Sequence, residues 1–361
     1  MTENYSVTVI IPFFNAQHFI KDSLDKLAKQ DFEKPFEIIM VDDASTDSGK
    51  EIIKNYKLKG LKLYSLPVNS GPAAARNLGL KNAKGEYIFF LDVDDSIEAN
   101  TLSVLHNEAT KGSFDFVFCD SKWIEHSKNQ RSNIYSYESD RIIENTELTK
   151  SMKSRIFNSK FMGGILGSKA KLIKKSLILS NKIFFEEELR YLEDEIFLWN
   201  VLAHINRAKY IRKQFYSYFV HPNTNTSVIE GLNLGFPISK FKLIRNHIKK
   251  SFLNRGCEIT EVNSLGDQAF IYFIINVLVS YSKSMLQGKV DKKKGLLHRK
   301  KIIDNILSDH DVVCAIKNYK RSKGESFLII FAIFLKSGSF LEWACTKSCL
   351  LYTSDAADDS L

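Results

Sequence analysis

Glu86-Tyr87-Ile88-Phe89-Phe90-Leu91 runs directly into Asp92-Val93-Asp94-Asp95. Tyr87 to Leu91 is an uninterrupted apolar and aromatic run, the pattern of a strand covered on both faces. Three carboxylates crowd its carboxyl end. They repel one another, and that cost needs an offset. A divalent cation supplies one, because hard cations such as Mg²⁺ and Mn²⁺ take oxygen ligands and share them with phosphates. Taken alone, the cluster also reads as a loop in which one Asp caps the next helix and the others are solvated.

The same alternation extends to both sides. Val7 to Ile11, Phe36 to Val41, Leu61 to Leu66 and Phe114 to Phe118 repeat the strand signal. Helical patterns lie between them. Phe19, Leu24 and Leu27 share one face of a first helix, Ile52, Ile53 and Tyr56 mark a second, and Ala73 to Asn82 and Leu102 to Ala109 form two more. Strands alternating with helices predict an α/β fold with a mainly parallel sheet flanked by helices, and such sheets hold ligands beyond the carboxyl ends of their strands.

Four further clusters fall at that end. Val41-Asp42-Asp43-Ala44-Ser45-Thr46-Asp47 follows the second strand. Capping explains Ser45 to Asp47 but not the Asp42-Asp43 pair, which can accept hydrogen bonds from a heterocyclic N–H. Pro12-Phe13-Phe14-Asn15 makes a turn after the first strand. In Asn69-Ser70-Gly71-Pro72-Ala73-Ala74-Ala75-Arg76-Asn77 small residues allow close packing, and Arg76 can reach a phosphate or the acidic cluster. Tyr191-Leu192-Glu193-Asp194-Glu195 opens an apolar helix. Three acids there suit the helix dipole, and a carboxylate so placed can also act as a general base.

These five clusters, taken in chain order from Pro12 through Asp42, Asn69 and Asp92 to Glu193, resemble the family 2 glycosyltransferases, inverting enzymes of the GT-A fold that use nucleotide-diphospho-sugars. The resemblance covers about residues 5 to 225. Ile165 to Glu195 and Tyr216 to Ser227 also look like bacterial capsule and lipopolysaccharide transferases. The resemblance implies a hexosyl- or N-acetylhexosaminyl-transferase acting on a glycan or lipid-linked acceptor in surface polysaccharide synthesis, with a Mn²⁺ or Mg²⁺ cofactor. It implies that Asp43, with Asp42, holds the nucleotide base, most often uracil. Pro12, Phe14, Asn15 and Val93 line the donor site, and Asp92 faces the ribose or sugar. Asp94, with Asp92, binds the metal, Arg76 lies near the diphosphate, and Asp194 is the base with Glu193 beside it. Two departures stand out. Phe14 replaces a common Tyr, and His221 to Ser227 lacks the usual Arg after the aromatic strand.

Composition agrees with a folded enzyme. The 361 residues are 44% hydrophobic, 26% charged and 12% aromatic, which excludes a chain disordered by composition. About two domains are expected at roughly 150 residues each. The divisions expected are a GT-A catalytic domain over 1–228, a mostly helical C-terminal region over 229–349, and a non-native tail over 350–361. No apolar run reaches the length of a membrane span, and the polar start does not read as a secretory signal. Five cysteines without a C-x-x-C pair argue against disulfide or zinc frameworks and for a reducing cytoplasm.

The rivals have weaker support. Pro12 to His18 contains no glycine for a dinucleotide fingerprint, and Gly163 to Lys169 is no phosphate-binding loop. A binding protein for nucleotide-sugars with weak turnover is one alternative. Binding of nucleic acid or an anionic surface through the basic C-terminal region is another, though nucleic acid is not the expected partner. The net charge of +9 does not choose between them. Lys289 to Lys301 carries seven basic residues. Docking on the inner face of the plasma membrane and an ordinary solvated basic surface both fit that run.

Overall fold

A computed structural model of the chain describes residues 4–125, 130–132, 136–157, 169–189, 192–220, 238–286, 292–320, 330, 338–341 and 343–344. Gly163-Gly164, Ser168, Tyr191, His221 to Ser227 and the 350–361 tail lie outside them. The chain divides into two compact units, Met1–Lys150 with Met162–Thr224, and Ser151–Phe161 with Asn225–Leu361.

The first unit is built on β1 (Val7–Phe13), β2 (Phe36–Asp42), β3 (Leu61–Ser65) and β4 (Tyr87–Phe90), joined through α1 (Gln17–Ala28), α2 (Gly49–Asn55) and α3 (Pro72–Asn82). These strands pair in the order β3-β2-β1-β4, all parallel. Every residue of β1 and β4 is buried, as expected of parallel strands covered on both faces. The parallel start is what the sequence alternation predicts.

The helices fit closely. On α1 the buried stripe is Ile20, Leu24 and Leu27. Phe19, expected on that face, is exposed instead. Ile20 holds the i, i+4, i+7 register, and Phe19 lies one position off it. On α3 the backbone comes close to β1, because a Cβ at Gly79 would stand 2.5 Å from Ile10 Cγ2.

Beyond β4 the sheet becomes mixed. It continues through β9 (Lys171–Lys174), β6 (Phe116–Glu125), β10 (Arg207–Val220) and β5 (Ser96–Ile97), with β7 (Gln130–Ser132) on β6 and β8 (Arg141–Glu144) on β10. Between β5 and β6 runs α4 (Thr101–Lys111), and α5 (Asn145–Phe157) follows β8. The short β9 lies antiparallel to both β4 and β6. Lys171–Lys174 is a strand, and the helix α6 (Lys175–Ser180) starts only after it. Four residues bounded by lysines carry too little pattern to show a central strand. Likewise β7 and β8 are short strands fixed by pairing with β6 and β10 rather than by composition. The strand β10 pairs in parallel with β6, with register shifts between Ile211 and Tyr216. Then α7 (Glu193–Leu202) follows the 183–189 segment.

The second unit is helical among the described residues: α8 (Ile238–Asn254), α9 (Ile259–Leu286), α10 (Lys292–Ser308) and α11 (His310–Ile316). Phe241, Ile244, Ile248 and Phe252 form the buried face of α8. No helix among the described residues is long and apolar enough to cross a membrane.

Candidate active site

The site assembles at the carboxyl ends of β1, β2 and β4, where loops take backbone conformations unusual for L-residues. Asn15, Ala44 and Leu192 all have positive φ, of 48°, 61° and 61°. Such strain costs about 1–3 kcal/mol per residue and collects at functional sites.

The first two loops are stitched together. The Ser45 hydroxyl accepts from Asn15 N at 2.9 Å, and Asn15 Oδ1 accepts from Thr46 N at 2.9 Å. The buried Asp42 accepts from Ser45 N at 2.8 Å, and Lys50 Nζ stands 3.4 Å from its other oxygen. Asp42 therefore shapes the turn. Asp43 points to the third loop. Its two oxygens accept from Ser70 N at 2.7 Å and Gly71 N at 2.8 Å. Gly71 has φ 91°, which lets the chain turn into α3. Asp43 thus fixes the start of the helix that carries Arg76. Pro12 is buried in β1, whereas the Phe14 ring is 48% exposed beside these loops.

Arg76 is the centre of the site. It is 6% exposed, and each end of its fork is paired with a carboxylate. Its Nη2 donates to Asp92 Oδ1 at 2.9 Å and its Nη1 to Glu193 Oε1 at 3.1 Å. One guanidinium therefore joins Asp92 at the end of β4 to Glu193 at the start of α7, which lies 117 residues along the chain from Arg76. Burial disfavours its charge, but Asp92, Glu193 and Asp194 outweigh that and raise its pKa. Asn77, the next residue, holds the chain before α7. Its Nδ2 donates to Phe185 O at 2.9 Å and its Oδ1 accepts from Phe185 N at 2.8 Å. Phe185 stacks on Phe197 of α7 at 4.0 Å, and Phe90 of β4 meets both rings edge-on. The Arg76-Asn77 pair thus aligns α7 with the strand end.

Asp92, Asp94 and Asp95 separate in environment. Burial works against ionised Asp92, but Lys169 and Arg76 beside it hold its carboxyl well below the usual range. Asp92 Oδ2 lies 3.1 Å from Lys169 Nζ. Asp95 is buried and accepts from Tyr216 Oη at 2.6 Å, Lys169 Nζ at 3.0 Å and Phe219 N at 3.1 Å. Burial, with the Asp92 charge, pushes its carboxyl up to about 6, against the pull of Lys169 and Tyr216. Asp94 and Val93 between them are partly exposed. Among the described residues no three His, Cys, Asp or Glu side chains are arranged to hold a metal. Asp92 and Asp94 are hard oxygen donors, the chemistry that suits Mg²⁺ or Mn²⁺ when phosphate oxygens and water complete the shell.

On α7, Glu193 is buried and its pKa is raised by burial and by the Asp194 charge, with Arg76 opposing. Asp194 is partly exposed, and its Oδ1 accepts from Glu195 N at 2.8 Å.

The sequence assigns no role to Lys169, Tyr216, Asn77 or Asp95, although Asn77 and Tyr216 lie in segments it singles out. Lys169 lies 74 residues from Asp95, and Tyr216 lies 121 from it, so no local spacing could pair them. The aromatic alternation of Tyr216-Ser217-Tyr218 was the available signal. Ala170, with φ 60°, turns the chain between Lys169 and the buried Lys171.

A family model described as glycosyl transferase family 2 matches residues 8–177. A poly(ribitol-phosphate) beta-N-acetylglucosaminyltransferase of Staphylococcus aureus, TarS, is 33% identical over 214 residues, 58% of this chain and 35% of that protein. A cholesterol galactosyltransferase of Borreliella burgdorferi is 30% identical over 286 residues, 76% of this chain and 74% of that one. The chain spans about a third of the length of TarS. Residues 1–349 of TarS, crystallised in complex with UDP, superpose with a TM-score of 0.67 at 24% identity, over 95% of this chain and 90% of that one. That likeness bears out the GT-A fold.

Proposed function

The chain belongs to glycosyltransferase family 2, and on that premise we propose an inverting transferase that moves a sugar from a nucleotide-diphospho-sugar to a hydroxyl of a glycan or lipid-linked acceptor. We assign it to bacterial surface polysaccharide synthesis, with uridine diphosphate as the carrier. The names of the relatives and the UDP held by the structural neighbour support these choices. The cysteine usage supports a cytoplasmic setting. The basic helices would meet the anionic inner leaflet where a lipid-linked acceptor sits.

The observation that carries the reading is the Arg76 bridge between Asp92 and Glu193. It gives a donor pocket and a basic carboxylate one shared frame. Asp43 would hold the base: each of its oxygens keeps a second lone pair beyond its backbone bond. Asp42 supports it from the turn, with Pro12, Phe14 and Asn15 forming the wall beside it and Asp92 and Val93 facing the ribose and sugar. Asp94, with Asp92, would hold Mn²⁺ or Mg²⁺, whose positive charge favours departure of the diphosphate.

In the chemical step Asp194 takes the proton of the acceptor hydroxyl. The oxygen attacks the anomeric carbon from the face opposite the diphosphate, whose C–O electron pair leaves with it. One displacement inverts the centre and needs no nucleophilic side chain. Arg76, paired with Glu193, offsets the Glu193 charge that lies beside Asp194. Replacing Asp194 by Asn is expected to lower turnover about 10²–10⁴-fold and leave donor affinity intact. Steady-state transfer and equilibrium binding on the same variant check this, and donor affinity falling in step with turnover would refute the base assignment.

A further inference from the structure

Among the described residues, Arg76 and Lys169 are the cations paired with Asp92, and they differ in what they can still do. The two forks of Arg76 serve Asp92 and Glu193, and its side chain is 7% exposed. Turning it toward a ligand would leave Glu193 buried without its cation. Lys169 is more open, with its side chain 25% exposed. Its Nζ lies 3.1 Å from Asp92 Oδ2, 3.0 Å from Asp95 Oδ2 and 3.6 Å from the centre of the Tyr218 ring.

Both carboxylates survive its departure. Asp92 keeps Arg76, and Asp95 keeps the Tyr216 hydroxyl and Phe219 N. An ammonium on a flexible stem also has three donors, of which these carboxylates use two. Lys169 is therefore a cation held at the donor pocket by contacts that can be exchanged.

We propose that Lys169 is the side chain that meets the diphosphate of the donor, while Arg76 stays a fixed bridge. This assigns the phosphate contact to Lys169 in place of the Arg76 role implied by resemblance, and it rests on the donor reading above. As the bond from the anomeric carbon to the diphosphate oxygen breaks, the electron pair goes to that oxygen. The Lys169 ammonium stabilises the charge that develops there, with no proton transferred.

The test compares each nucleoside diphosphate with its nucleoside by calorimetry, in Mn²⁺ and in EDTA. The pairs are UDP with uridine, GDP with guanosine, ADP with adenosine and dTDP with thymidine. Lys169→Met is expected to weaken the preferred diphosphate roughly tenfold or more, the size of one hydrogen bond to a charged group, and to leave its nucleoside unchanged. Lys169→Arg should keep most of the diphosphate affinity. Where Lys169→Met fails to fold, Lys169→Gln replaces it. Equal losses for diphosphate and nucleoside would mean that Lys169 only braces the pocket, and no loss for either would remove it from the site. Both results overturn the proposal. A wild type that binds none of the four pairs brings down the donor reading itself, and this proposal with it.

Discussion

Replacing Arg76 by Met keeps an unbranched apolar stem to about the position of Nε and removes the charged fork. The guanidinium is nearly inaccessible, and it joins a carboxylate whose side chain is 26% exposed to one that is 10% exposed. Removing one partner of a buried ion pair costs about 3–5 kcal/mol, because the remaining charge is stranded. Asp92 retains Lys169 and some water, so most of the loss falls on Glu193. The expected destabilisation is therefore near the lower end, about 3 kcal/mol. Urea unfolding of wild type, Arg76→Met, Glu193→Gln and the double variant separates the parts. In the Glu193→Gln background no charge is stranded on α7, and the cost of Arg76→Met should shrink by about 1–2 kcal/mol. Strictly additive costs, or a single-variant cost below about 1 kcal/mol as for an exposed pair, would show that Arg76 does not join the two halves of the site.

Two other residues give predictions of opposite sign. Lys171 is buried in β9 and donates to Lys169 O at 2.7 Å, and burial lowers its pKa to about 8 against the pull of Cys119, Asp120 and Asp194. The folded chain then binds fewer protons than the unfolded one between about pH 8 and 10.5, so this group makes stability rise with pH across that window. Lys171→Met should stabilise the fold by about 1–3 kcal/mol at pH 7 and abolish that rise, as read by unfolding midpoints at several pH values. Glu37, buried at the opposite end of the sheet, is held ionised against the cost of burial by Lys62 Nζ at 2.6 Å and Thr8 Oγ1 at 2.6 Å. Its lowered pKa makes its contribution complete above about pH 4.5 and lost as pH falls through the folded value. Glu37→Gln should cost about 3 kcal/mol at pH 7, shrinking in acid. A pH-independent cost would contradict the ionised assignment.

How far the sequence could be read depended on whether a feature was local. Tyr87 to Leu91 and Val7 to Ile11 announce buried parallel strands because a strand covered on both faces needs an unbroken apolar run. The carboxylates that follow Phe36 to Val41 and Tyr87 to Leu91 were legible for the same reason, since an apolar run leads into each. The α1 stripe was displaced by one residue because Phe19 is apolar and adjacent to Ile20, and composition does not record which side faces the core. The strand Lys171–Lys174 was hidden. Four residues with lysine ends become a strand only because β4 and β6 offer backbone partners on both sides. The site divides along the same line. Asp92, Asp94 and Asp194 stand in clusters that any reader would notice. Lys169 and Tyr216 acquire meaning only when folding brings them to Asp95. The pairing of Asp43 with Ser70 and Gly71 was equally hidden, although both segments had been singled out.

The central claim is that the pocket framed by Asp43, Asp92 and Arg76 receives a nucleotide-diphospho-sugar. Equilibrium binding of UDP-, GDP-, dTDP- and CMP-linked sugars to the wild-type chain, with Mn²⁺, with Mg²⁺ and with EDTA, tests it most directly. One uridine-linked donor is expected to bind preferentially, and more tightly when the metal is present. Absence of binding for every donor under all three conditions would contradict it.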